Sequence, residues 1–232
     1  MLCKIAGLIT EIPAEGGMAS RCRDYLYEGT EEPQIVIRTE DYRPERWSAV
    51  SHEGLCYMDS GLIFYVQLLK HDGLMLHSSA IELDGKAYLF SGDSGAGKST
   101  HTSLWTQKFG PAARIFNDDK PALRFLDGRW YAYGTPWSGK HDISADARVP
   151  VAGIACIERA EENSIEPFRG IMAIHGILKQ CNRPKEADLR EKLLELLDRL
   201  ITDVPVWKLK CNMDPEAAVL AYRVMSGQGE RE

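Results

Sequence analysis

Apolar residues fall into short runs through the middle of this chain and into helical spacing toward its end. Residues 4–12 and 34–38 read as short strands. The stretch between them carries Gly16, Gly17 and Gly29 and reads as loops. Leu62, Ile63, Val66, Leu68 and Leu69 give residues 59–71 a broad apolar face, which predicts a helix ended by Gly73. Residues 74–83 read as one strand. Asp84-Gly85 is a two-residue hairpin signal, and residues 86–90 form the returning strand. Further strands are expected over 113–116, 121–126, 129–134 and 151–158, with Asp127-Gly128 as a second hairpin. Leu189, Leu193, Leu196, Leu197 and Leu200 place one apolar stripe on a helix over 185–201, which reads as core packing. Residues 204–210 read as a last strand. Asp214-Pro215 then opens a closing helix, with aspartate as N-cap and proline at N1.

Two hairpins in the central region require antiparallel neighbours. The expected fold class is therefore α/β, with a mixed β-sheet flanked by helices. At 232 residues, 44% hydrophobic and 27% charged, the chain fits one globular domain over 1–232. Within it, 1–72 reads as an N-terminal strand/helix subregion and 73–232 as the core. With 28 Lys+Arg against 34 Asp+Glu, the net charge is −6, which argues against a purely electrostatic nucleic-acid binder. No apolar run approaches the ~18 residues that span a bilayer, so no membrane partner is expected. The start lacks a signal-peptide apolar region, and a cytoplasmic protein is expected. Six cysteines, at 3, 22, 56, 156, 181 and 211, form no CxxC pair and read as free thiols. The histidines show no HxxxH or Cys/His grouping, so no structural zinc site is expected.

The chemistry concentrates near residue 95. Gly92-Asp93-Ser94-Gly95-Ala96-Gly97-Lys98-Ser99 matches G-x-x-x-x-G-K-[ST] in full, between a strand and a helix over 98–109 that Gly110-Pro111 stops. A chance match in a chain of this length is roughly one in a hundred. The glycines let successive amides face a β-phosphate, and the helix N-terminus adds partial positive charge. Lys98 reaches the β- and γ-phosphates and the Ser99 hydroxyl ligates Mg²⁺, which implies ATP and Mg as cofactors. Thr100 starts the helix beside Ser99.

Asn117-Asp118-Asp119-Lys120 follows a short apolar strand. One carboxylate can hold Mg²⁺, with Asp119 the expected partner of Ser99, and the other can orient or deprotonate an attacking hydroxyl. In isolation the same run is ordinary turn chemistry. His77 sits on the strand whose hairpin partner leads into the glycine loop. Counting outward from Asp84-Gly85 pairs residues 75–77 with 92–94, which sets an imidazole beside the phosphates. A satisfied buried histidine is the commoner reading of such a residue taken alone. Gly134 to His141 combines glycine, proline, tryptophan and two basic side chains. Lys140 there can neutralise a transferred phosphoryl group and Trp137 can line an acceptor pocket. Arg124 and Arg148 are weaker candidates.

Leu76-His77-Ser78-Ser79-Ala80, the Ser91–Ser99 loop and Asn117-Asp118-Asp119-Lys120 together resemble the HPr kinase/phosphorylase family. More distantly they are similar to ATP-dependent phosphoenolpyruvate carboxykinases. The resemblance covers residues 74–126 and implies a shared nucleotide-binding core. It also implies roles: Lys98 for the phosphates, Ser99 for Mg²⁺, Asp118 and Asp119 as base and metal partner, and His77 for the γ-phosphate. No match to the HPr kinase C-terminal signature follows residue 150, and the chain is short for a carboxykinase. Gly134–His141 and Pro205–Cys211 look like small HPr-kinase-like proteins of peptide-tailoring pathways.

The expected function is an ATP- and Mg-dependent kinase. It transfers the γ-phosphoryl group to a hydroxyl of a protein, peptide or small molecule. The alternative is a non-catalytic ATP-binding module in a peptide-maturation complex. The resemblance leaves a homo-oligomer open beside a monomer.

Overall fold

A computed structural model describes residues 1–46 and 50–228. Leu2–Ile5 (β1) and Leu8–Glu11 (β2) pair antiparallel across Ala6-Gly7, both at positive φ. The single strand expected over 4–12 is thus a hairpin. An alanine in the left-handed region is uncommon, which is why the turn is invisible in the pattern. Ile35–Val36 (β3) joins β2 in parallel. A single turn, Met18–Arg21 (α1), precedes the long helix His52–Leu68 (α2). That helix starts well before residue 59, because the Ser51 hydroxyl accepts the Gly54 N–H at 3.1 Å and caps it.

The strand expected over 74–83 is two strands, Gly73–Met75 (β4) and Ser78–Leu83 (β5). The break at Leu76-His77 has a visible cause. The His77 N–H donates to the Gln180 carbonyl at 2.8 Å, and the His77 carbonyl accepts the Ser91 hydroxyl at 2.9 Å. Those bonds pull the segment off the ladder. Lys86–Ser91 (β6) returns antiparallel to β5, with Leu83 opposite Lys86 and Ser78 opposite Ser91. The hairpin therefore delivers His77 to the start of the glycine loop, as the count from Asp84-Gly85 predicts.

Lys98–Phe109 (α3) follows the loop, and Arg114–Asn117 (β7) pairs antiparallel with β5. Ala122–Leu126 (β8) and Arg129–Tyr133 (β9) form the second hairpin across Asp127-Gly128. Arg148–Arg159 (β10) is longer than the stretch expected from 151. Its first residues pair antiparallel with β9 and its middle pairs parallel with β6. Its last residues pair parallel with Val206–Cys211 (β12). The sheet forks along this strand. Ser164–Pro167 (β11) and Gly170–Leu178 (α4) lack a pattern that announces them. Ala187–Asp203 (α5) and Glu216–Met225 (α6) complete the chain, and the Asp214 carboxylate accepts the Glu216 N–H at 2.9 Å.

The result is an α/β fold with a nine-stranded mixed sheet flanked by helices. The leucine stripe of α5 packs on one face, against Leu74, Leu76, Leu89 and Ile154. Leu104 and Trp105 of α3 and Ala217 and Ala221 of α6 cover the other, against Phe90, Ile157 and Leu209. A further core joins β1–β3 and α2 to the sheet through Ile5, Phe64, Leu68, Met75, Ala122 and Trp137. No helix among the described residues is long and apolar enough to cross a membrane.

Strand direction positions the site. β6, β7, β10 and β12 all run antiparallel to β5 or parallel to one another, so their carboxyl ends share one edge of the sheet. The glycine loop, Asp118-Asp119 and Asn212 follow those ends, and Arg159 is the last residue of β10. The amino end of β5, with His77 just before it, meets them there. Carboxyl ends of such strands are where α/β sheets form crevices.

Candidate active site at the carboxyl edge of the sheet

Gly92, Gly95 and Gly97 adopt positive φ of 156°, 80° and 107°. A β-carbon on Gly92 would lie 3.0 Å from the Ile157 carbonyl oxygen, so the loop presses directly on β10. The amides of Gly95, Gly97, Lys98 and Ser99 have no acceptor among the described residues. They are free donors at a helix N-terminus, which suits an anion. Lys98 is 8% exposed, and its ammonium donates to the Gly92 and Asp93 carbonyls at 2.8 and 3.2 Å. Burial pushes the ammonium pKa down, opposed by the charges of Asp119, Asp118 and Asp93.

The two adjacent carboxylates face different partners. Asp118 accepts the Ser79 hydroxyl at 2.6 Å, and Ser79 bonds Thr102 of α3 at 2.8 Å. Asp118 therefore leans toward the helix that begins with Lys98 and Ser99. Asp119 faces His77, with Oδ1 3.1 Å from Nε2, and its Oδ2 accepts the Lys120 ammonium. Burial pushes the Asp119 carboxyl pKa up. The His77 hydrogen bond and the Lys120 charge outweigh it and hold the group down at about 2. The Asn117 side chain accepts the Asp119 and Lys120 amides at 3.2 and 2.8 Å, which fixes the turn that carries both carboxylates.

His77 is held from its other side by Gln180, whose Oε1 lies 3.1 Å from Nδ1. The Gln180 amide nitrogen donates to Asp93 of the glycine loop at 3.0 Å. A continuous chain thus runs from Asp93 through Gln180, His77 and Asp119 to Lys120. Gln180 has no motif to announce it in the sequence. It arrives just past α4 and is buried.

His77, Ser94, Gly95, Gly97, Lys98, Ser99, Thr100, Asp118 and Asp119 line one open cleft of about 350 Å³, with Lys140, His141 and Arg159 also on its wall. Most of the residues expected from sequence come together there. Two do not. Trp137 is fully buried: its indole N–H donates to Ser60 at 3.1 Å and its ring packs 4.8 Å from Phe64. It is a core residue and lines no part of the cleft. Arg124 is 8% exposed and donates to the carbonyls of Ala6 and His71, so it ties the N-terminal hairpin to β8 instead of facing the cleft. Arg148 stacks 4.1 Å from the Tyr131 ring centroid, also away from it. Arg159 and Gln180 join the site with no motif to announce them, and Lys120 and His141 join it from the two motifs that carry Asp119 and Lys140.

Protein-family models give no match to this chain, and neither do the curated proteins. One solved structure it resembles is the Hpr(Ser) kinase/phosphatase from Coxiella burnetii. The TM-score is 0.39 at 12% identity, over 67% of this chain and 97% of that one.

Proposed function

We propose that the protein is an ATP- and Mg-dependent phosphotransferase that moves the γ-phosphoryl group to a hydroxyl. The observation that carries this reading is a single cleft. It holds the free loop amides, Lys98, Ser99, both carboxylates, His77 and Lys140. Mg·ATP supplies the activated phosphoryl group. Lys98, released from its loop carbonyls, and the free amides bind the phosphates. Transfer forms a bond from the acceptor oxygen to phosphorus and breaks the bond to the β-phosphate. ADP leaves, and the hydroxyl proton passes to a carboxylate.

The hydrogen bonds favour a division of labour between the carboxylates. Asp118, tied through Ser79 and Thr102 to α3, is the metal-side partner of Ser99. Asp119, ionised and bordered by His77 and Lys120, accepts the acceptor hydroxyl and orients it. His77 and Lys140 face the transferred group, where positive or donor character stabilises developing charge. Next to the phosphate end, Ala96, Gly97, Thr100, Arg159, Ala160 and Met213 line a second hollow of about 290 Å³, suited to the nucleotide base.

Calorimetry with Mg·ATP and transfer assays on peptides encoded beside the gene test this. Lys98→Ala should lose Mg·ATP binding. Asp118→Asn and Asp119→Asn should keep the fold and lose transfer. Undiminished Mg·ATP binding by Lys98→Ala would defeat the proposal.

A further inference from the structure

Away from the cleft, a second cluster of donor groups lies at the start of α2. His52 and Cys56 stand one helical turn apart, with Nε2 and Sγ 3.6 Å from each other. Glu15, from the loop after β2, brings Oε2 to 3.6 Å from the same nitrogen. All three ligand atoms lie within 4.8 Å of one another. We propose that Glu15, His52 and Cys56 form a binding site for zinc, or a divalent cation of the same borderline-soft class, with a fourth position open to water.

The spacing supports this directly. Zinc–sulfur and zinc–nitrogen bonds of about 2.3 and 2.1 Å at tetrahedral angles separate the two ligand atoms by about 3.6 Å. The side chains already stand at that separation. The backbone explains how Glu15 gets there. Gly16 has φ +55°, and a β-carbon on it would sit 2.5 Å from the Cys56 β-carbon. The loop therefore packs bare backbone against Cys56, and only glycine permits it. Burial pushes the Cys56 thiol pKa up; a divalent cation reverses that and binds the thiolate. His52-x-x-x-Cys56 is a Cys/His pair one helical turn apart, contrary to the expectation that the histidines show no such grouping. The third ligand, Glu15, lies far from both in sequence.

The test is metal binding by the reduced, full-length protein. Cobalt(II) titration should give a thiolate-to-cobalt charge-transfer band, and zinc should displace cobalt with a stoichiometry of one. Cys56→Ser should abolish the band. His52→Gln, a change at an exposed side chain, should weaken zinc by more than the roughly 10–100-fold typical of an outer-shell partner. Zinc binding weaker than about 10 μM in the parent protein overturns the proposal. So does a cobalt band that survives in Cys56→Ser, because the metal then sits on other cysteines. Neither readout depends on phosphoryl transfer, so failure here leaves the kinase reading untouched.

Discussion

Asp119→Asn removes one charge from the cleft and leaves its neighbours held. His77 keeps its bond to Gln180, and Lys120 remains 5.1 Å above the Tyr57 ring centroid. The magnitude follows from linkage. The carboxyl drops from an ordinary 3.8 to about 2 in the folded protein: burial works against the drop, and the His77 hydrogen bond and Lys120 charge drive it. A shift of nearly two units, at about 1.4 kcal/mol each, makes the ionised Asp119 worth about 2 kcal/mol. Its side chain is 21% exposed, so solvent screening reduces this only modestly. The sign is that of a depressed acid. The stabilisation is fully present above the unfolded pKa of about 4, and is lost as pH falls toward about 2. Urea unfolding of both proteins between about pH 7 and pH 2 reads this out. Near neutrality Asp119→Asn should be less stable by about 2 kcal/mol, and the gap should close by about pH 2. Groups that do not interact with Asp119 titrate alike in the two proteins and cancel in the difference. A gap that is absent at neutrality, or that does not change across the acid range, would refute the assignment of Asp119 as a buried, doubly paired carboxylate.

Trp137→Ala should cost about 3–5 kcal/mol in denaturant unfolding, as expected for an emptied aromatic site. Mg·ATP affinity of the folded fraction should hold, because the indole lies outside the cleft. Gln180→Ala cuts the link between Asp93 and His77. It should lower stability by only about 1 kcal/mol, yet slow transfer by roughly 10-fold or more through misplacement of His77; steady-state kinetics that separate kcat from KM provide the check. Gly139→Ala puts a β-carbon 2.9 Å from the Asp119 β-carbon at a φ of +76°. Transfer should fall while Mg·ATP binding persists, as followed by calorimetry beside the transfer assay.

What was legible in the sequence is what closes over a short distance. The glycine loop is a contiguous motif, and a two-residue turn at Asp84-Gly85 sets the register that brings His77 to it. The mixed sheet follows from the same turn and from Asp127-Gly128. Illegible features depend on partners far along the chain. Gln180 reaches His77 across 103 residues, and Ser60 meets Trp137 across 77. The unusual composition of Gly134–His141 suggested an acceptor loop. In the fold Lys140 lines the cleft and Trp137 is buried in the core. Arg124 failed for a different reason. Alternation along a strand cannot say which side of a sheet is the cleft when another layer, here β1 and β2, covers it. The break at Leu76-His77 was hidden because apolar residues continue through it.

The acidic pair shows the limit most clearly. Asp118 and Asp119 are neighbours in sequence and share a turn, so motif reasoning treats them as one unit with interchangeable roles. In the fold their side chains belong to different networks. Asp118 is bonded through Ser79 and Thr102 to the helix that carries Ser99, and Asp119 to His77 and Lys120. Adjacent side chains leave an extended or turning backbone on opposite sides, so a metal partner and an acceptor partner can be one residue apart. Two identical carboxylates acquire distinct chemistry when their surroundings differ, and those surroundings come largely from β5, the His77 segment before it and α3. None of these elements is encoded in the Asn-Asp-Asp-Lys motif itself.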